Sequence, residues 1–193
     1  MTDQDSRPGS ETVGDDGIVR TFRHGPSDPP KLADVPGTRV ETLIDADLDT
    51  VWATVTDINA PAQFSTEFLG ATWVTGGGPA LGARFRGRNR HEAIGEWEAD
   101  LFVHRYEPMR EFGWITTDPD NPGSSWCFVL EPQDDGVRLR FEMELGPGPN
   151  GLTAVLESMP SEMEPRVVRR RVGEHHANMV RTVDGIRSLA ETR

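Results

Sequence analysis

Residues 83–105 read ARFRGRNRHEAIGEWEADLFVHR, and their two-residue alternation decides the fold. In the first arm Arg84, Arg86, Arg88 and Arg90 share one face, while Ala83, Phe85, Gly87 and Asn89 share the other. In the second arm Glu96, Glu98 and Asp100 lie opposite Trp97, Ala99, Leu101 and Val103. A hairpin turning at Glu92-Ala93-Ile94 sets Arg90 against Glu96, Arg88 against Glu98 and Arg86 against Asp100. The same register places Asn89 beside Trp97 and Phe85 beside Leu101. A slip of one residue would set arginine beside tryptophan, so one pairing alone satisfies both faces.

The parity persists outward from this hairpin. After the turn at Glu107-Pro108, Phe112, Trp114 and Thr116 fall on the apolar face. A loop at 118–123 leads to Trp126, Phe128 and Leu130, which again alternate inward. Past Asp134-Asp135-Gly136, Val137, Leu139, Phe141, Met143 and Leu145 face in, and Arg138, Arg140, Glu142 and Glu144 face out. This is the pattern of an antiparallel meander with one buried face. Upstream, Arg39–Ile44 reads as a strand. Asp45 and Asp47 then precede Leu48, Val51, Trp52 and Val55, a helical stripe with an aspartate cap before it. A short connecting element around Gln63 and Phe64 leads to a strand at Ala71–Thr75.

Gly146-Pro147-Gly148-Pro149-Asn150-Gly151 ends the sheet. A first helical stretch carries Val155, Leu156 and Met159 and is interrupted by Pro160 and Pro165. From about Arg166 to Ala190, Val168, Val172, His175, Met179, Val183 and Ile186 share one face. A closing helix of about 24 residues is roughly 36 Å long, enough to lie across the whole sheet. The expected class is α+β, with a curved antiparallel sheet of about seven strands around a long C-terminal helix and two short helices after the first strand.

A length of 193 residues fits one domain with a tail. Residues 1–36 are rich in Asp, Gly, Pro and Ser and lack a sustained apolar period. They are expected as a mostly disordered acidic tail, with a short strand or hook at Ile18, Val19, Thr21 and Phe22. The domain proper is expected over 37–193. A net charge of −12 argues against a nucleic-acid partner, which needs a basic footprint, and against anionic membrane surfaces. No apolar run is long enough for membrane insertion. The first residues lack a basic and apolar leader pattern, and the single cysteine, Cys127, can form no intramolecular disulfide. Both observations lead to the expectation of a cytoplasmic protein.

The order of elements, a strand, a short helix pair, a meander and a long final helix, resembles the START-like (SRPBCC) superfamily with its helix-grip fold. The likeness is to its polyketide cyclase/dehydrase-type branch. It rests on Val40-Glu41-Thr42-Leu43-Ile44-Asp45-Ala46 followed by Val51-Trp52-Ala53, on Gly82-Ala83-Arg84-Phe85, on Trp97-Glu98-Ala99, and on the terminal helix through Met179 and Leu189. The resemblance implies an elongated cavity between sheet and helix for an aromatic, polyketide or lipid-like molecule. It further implies cyclisation or dehydration by positioning and proton transfer, or else a non-catalytic carrier or sensor of a hydrophobic small molecule. The superfamily has no catalytic motif common to all members, so no catalytic residue is carried over. No cofactor and no metal are expected, and self-association into a homodimer is left open.

The residues themselves supply candidates. Inward parity gathers Phe85, Trp97, Leu101, Phe112, Trp114, Trp126, Phe128 and Phe141. Most are expected to pack against the terminal helix as core, with the aromatic surplus suiting a planar ligand. Phe64, Met143, Val172 and Met179 complete the candidate lining. Polar groups with inward parity, Asn89 and Thr116, would either hydrogen-bond a ligand carbonyl or hold a buried water. Arg105 shares that parity and would meet a ligand carboxylate or reach back to solvent. His175 on the apolar stripe, His176 beside it and His91 at the hairpin end are the acid/base candidates. The bland alternatives are a satisfied core histidine and a solvated turn residue. His104 reads as a surface residue. Arg166, Arg169, Arg170 and Arg171 read as a solvated helix face.

Several chemistries are excluded. His91-Glu92 is not followed by the second histidine of a zinc protease motif, since position 95 is Gly95. Gly76-Gly77-Gly78 lacks the Gly-Lys-Ser/Thr of a phosphate loop. His175 and His176 diverge by about 100° on a helix and cannot chelate one ion together. Cys127 has outward parity and is expected to lack a basic neighbour.

Overall fold

Alternation in sequence becomes register in space. The computed structural model describes residues 10–25 and 27–192; the first part of the expected tail, 1–9, lies outside the described residues. Strands β1 (Glu11–Val13), β2 (Val19–Phe22), β3 (Gly37–Ile44), β4 (Phe68–Thr75), β5 (Arg84–His91), β6 (Gly95–Glu107), β7 (Glu111–Thr116), β8 (Ser124–Gln133) and β9 (Gly136–Leu145) form one sheet. Its order is β1-β2-β3-β9-β8-β7-β6-β5-β4, antiparallel throughout. The β5–β6 hairpin adopts the expected register, with Arg90 opposite Glu96, Asn89 opposite Trp97 and Phe85 opposite Leu101. Of the three expected charge pairs, Arg86–Asp100 closes at 2.8 Å.

The sheet has nine strands rather than about seven. Both additional strands come from the segment read as a mostly disordered tail; β2 coincides with the short strand or hook expected at Ile18–Phe22, and β1 is the unexpected one. β2 pairs with β3 and buries Ile18 to 1% exposure. Asp16 holds the turn by accepting from the Ile18 N–H at 3.0 Å and from the Arg20 guanidinium. That pairing draws the Asp16 carboxyl down to about 2. Low apolar content fails as a guide here because β2 borrows the backbone partners of an existing sheet edge and needs no core of its own.

Helix α1 (Leu48–Val55) begins at Asp47, whose carboxylate accepts from the Thr50 N–H at 2.8 Å, and it buries Val51, Trp52 and Val55. A 3-10 turn at Ala60–Gln63 follows. Helix α2 (Thr153–Glu157) is short. Helix α3 (Glu164–Glu191) starts slightly before its expected position because Pro165 sits in its first turn, where a missing N–H is harmless, rather than interrupting it. Its 28 residues span about 42 Å. Val168, Val172, Met179, Val183 and Ile186 of α3 are buried against Ile18, Val40, Phe141 and Met143.

A β-bulge in β6 between Val103 and Arg105 resets the alternation: Val103 pairs with Trp114, but Arg105 pairs with Gly113. Arg105 therefore points to the outer face, where it is ion-paired with Glu111 at 2.9 Å, and does not reach inward as its sequence parity predicts. An extra residue in one strand puts its two flanking residues out of phase, which a period-two reading cannot register.

Candidate functional site

The inner face of the sheet divides into two halves. Under β2, β3 and β9 the helix is seated directly on the strands. There His176 is buried, its Nδ1 lies 2.7 Å from the Thr38 hydroxyl, and its ring packs 4.3 Å from that of Phe22. Thr38 also donates to the Thr21 carbonyl, so its proton is committed there and His176 Nδ1 is left to donate to the Thr38 oxygen. Burial drives the His176 pKa down to about 4, with Arg20 adding to the effect. His176 is thus a satisfied core histidine turned away from the other candidates.

At the other half, β5 to β8, the inward side chains change from buried to half-buried along the strands. Phe85, Leu101, Phe112 and Phe128 are buried together with Phe141 of the adjoining β9, and Phe128 and Phe141 stack at 4.1 Å. Trp114 meets Phe85, Phe112, Phe128 and Phe141 at 5.5–6.2 Å. Two to four residues further along the same strands, Asn89, Trp97, Thr116 and Trp126 are only half-buried. Leu152 and Leu156, around α2, lie against this cluster.

His175 stands over this half-open end. Its ring meets Trp126 edge-on at 5.1 Å, one helical position away from His176 but over a different strand. Desolvation first, then the charges of Arg171 and His91, hold its pKa well below the usual value, so the imidazole is neutral near pH 7. Its side chain makes no hydrogen bond with the described residues, and neither does the Asn89 amide. Beside them Trp126 Nε1 donates to Ser124 Oγ at 2.9 Å, and Ser124 Oγ lies 3.0 Å from Thr116 Oγ1. The end thus presents an aromatic wall, a neutral imidazole, a primary amide and a hydroxyl pair.

A cluster of charges borders it. Arg171 donates to Glu67 at 2.8 Å and to Glu174 at 3.2 Å, and its side chain is only 12% exposed. Glu174 also meets His91 at 3.3 Å and Arg170 at 2.9 Å. His91 is tied to α3 through Glu174 and is not the solvated turn residue of the bland reading. Arg171 departs from the expected solvated face. Its spacing to Glu174 is visible in the sequence; its pairing with Glu67 is not, because Glu67 comes from the far side of the domain.

The remaining candidates fall elsewhere. Phe64 packs on α3 at Gly185, where an added Cβ would lie 2.4 Å from the ring, so this glycine is required by the close approach. That contact is ten residues along α3 from His175, about 15 Å. Met143, Val172 and Met179 are core residues. Ser124, like Thr38 and Thr42 on β3, is a buried inner-face polar residue that the sequence reading did not single out.

The outer face carries a separate groove of about 580 Å³, bordered by Arg39, His104, Arg105, Cys127, Glu142 and Glu144. Cys127 does have cationic neighbours there, Arg105 and Arg140, yet burial still pushes its thiol up to about 12, which leaves it unreactive. His104 is exposed, as its parity predicts. Among the described residues no group of three or more His, Cys, Asp or Glu side chains is placed to hold a metal ion, and no helix is long and apolar enough to cross a membrane.

A curved sheet gripping a long C-terminal helix, with an aromatic inner face flecked by unbonded polar groups, defines a helix-grip domain of the START-like superfamily. Residues 37–183 match the family described as polyketide cyclase/dehydrase and lipid transport, and the chain belongs to that family. A Polyketide_cyc-like protein of Corynebacterium glutamicum is 26% identical, with a TM-score of 0.59 over 85% of this chain and 94% of that one. A STAR-related lipid transfer protein of Xanthomonas axonopodis is similar in fold, at 17% identity and a TM-score of 0.59 over 94% and 98% of the two chains. The di-domain ARO/CYC StfQ of the steffimycin biosynthetic pathway aligns at 11% identity and a TM-score of 0.60, over 81% of this chain and 51% of StfQ. The chain thus spans about half of that di-domain protein. No curated protein matches it in sequence.

Proposed function

We propose that the half-open inner end of the sheet binds a small hydrophobic molecule of aromatic or polyketide-like type, and that His175 assists its cyclisation and dehydration. The observation that carries this reading is the state of His175: neutral, without a hydrogen bond, and set against Trp126 among half-buried aromatic side chains. A flat ligand stacked along Trp97 and Trp126 would be held by apolar contact. The amide of Asn89 would donate to a ligand carbonyl. A neutral imidazole can then take a proton from the carbon next to that carbonyl. The resulting enolate carbon attacks a second carbonyl of the same molecule, the imidazolium returns the proton to the new alkoxide, and elimination releases water. Confinement of the chain in a folded conformer supplies much of the acceleration.

The assay is turnover of a linear poly-β-ketone by wild type, His175→Ala and His176→Ala. The expected result is a fall of about 10²-fold or more for His175→Ala with its fold retained. Equal turnover in His175→Ala and wild type would remove the proton-transfer role.

A second reading is a carrier or sensor that holds the molecule unchanged. It is favoured by one observation: His175 has no carboxylate partner to orient it, since Glu67 and Glu174 are engaged with Arg171. Native mass spectrometry of protein from its own host separates the two. An unmodified ligand supports the carrier, and a cyclised product supports the enzyme.

A further inference from the structure

We infer that the ligand of the inner-face site is uncharged, a neutral ketone, quinone or phenol, and that the site selects against carboxylates. This rests on the proposed location of the site and adds the charge of its occupant.

Ionisable groups among the described residues reach the site from two sides. On α3 these are Arg171, Glu174 and His175, with His176 turned to Thr38. From the strand side come Glu67, just before β4, and His91, at the end of β5. Arg171 is the cation nearest His175, one turn earlier on the helix, and it is already shared between two carboxylates while almost out of solvent. Arg170 is taken by Glu174. At the rim two carboxylates thus stand with two guanidiniums, and their charges cancel. Arg105, the other arginine whose sequence parity aimed it inward, is carried to the outer face by the β6 bulge and paired there with Glu111 and Glu142. No uncommitted cation therefore faces the inner end among the described residues.

What does face it is dipolar: the Asn89 amide, the Thr116–Ser124 hydroxyl pair and the His175 ring. These groups donate to or accept from a carbonyl or hydroxyl without a formal charge. A carboxylate placed there would lose its hydration, gain no counter-ion, and lie beside Glu67 and Glu174. The same desolvation that keeps His175 uncharged acts on any ionised ligand.

The test uses an isosteric pair, 2-acetylnaphthalene and 2-naphthoate, titrated into the full-length protein at pH 7.5 with tryptophan fluorescence as readout. The ketone is expected to bind at least tenfold more tightly than the carboxylate. Glu67→Gln, which frees part of Arg171, is expected to improve naphthoate binding several-fold and to leave the ketone unchanged. Equal or tighter binding of naphthoate by the wild type overturns the inference while leaving a hydrophobic site in place. Binding of neither probe overturns the site itself. If Glu67→Gln unfolds, the wild-type comparison alone decides.

Discussion

The two halves of the inner face are built from the same alternating strands and face the same helix, yet they end in different states. Beneath β2, β3 and β9 the fit is complete: Ile18, Val40, Met143, Met179, Val183 and Ile186 are each at most 1% exposed, and even the polar pair Thr38–His176 is buried and bonded. Toward the ends of β5 to β8 the side chains are as large but only half-buried, and the Asn89 amide and the His175 imidazole have no hydrogen-bond partner among the described residues. The neighbouring histidines measure the contrast. One is locked into the core by a hydroxyl and a phenylalanine; the next stands over Trp126 with both ring nitrogens unused by the protein. A half-buried aromatic end whose imidazole and amide bond to no described residue is where the proposed ligand would lie.

The comparison breaks first at the aromatic rows. Phe128→Ala, in the closed stack, is expected to lower stability by about 3–5 kcal/mol in a denaturant titration, through lost burial and the cavity left behind. Trp97→Ala, at the open end, removes a larger side chain and is expected to cost well under half as much, while weakening ligand binding. Similar losses for the two would mean that both ends are ordinary core.

A smaller effect separates the histidines by pH. The folded pKa of His176, about 4, lies below its ordinary value of 6.5. The unfolded chain therefore binds a proton that the folded chain refuses, and stability falls as pH drops through that window. The loss from His176 grows as pH falls from 6.5 towards 4, and His175 adds to it in the same direction. Urea midpoints between pH 7 and 4.5 should fall for the wild type and fall less steeply for His176→Gln, in which one of these groups is removed. Parallel slopes would show that His176 titrates freely in the folded protein.

Much of the fold was legible because the β5–β6 arms carry opposite charge on one face and apolar residues on the other, which leaves a single register. Phe112, Trp114, Phe128 and Phe141 followed from the same parity. Three features were not legible, each for a physical reason. Strand β1 and the docking of β2 on β3 depend on an edge they did not create, so composition understates their order, although the apolar residues at 18–22 do announce a strand. The β6 bulge inserts one residue without a glycine or proline to announce it, and so it turned Arg105 to the wrong face in a period-two reading. The rim cluster joins Glu67 to Arg171 across 104 positions, and no local pattern encodes such a pair. At the site itself, sequence placed His175 and His176 together as candidates. The helix assigns them to different halves, because 100° of rotation over a curved sheet is the difference between Thr38 and Trp126.

The most direct measurement is an NMR titration of the full-length protein with 2-acetylnaphthalene, following histidine imidazole, asparagine amide and tryptophan indole signals. The account predicts shifts at His175, Asn89, Trp97 and Trp126, with His176 unmoved. Shifts confined to His176, or to His104 and the other residues of the outer groove, would contradict it.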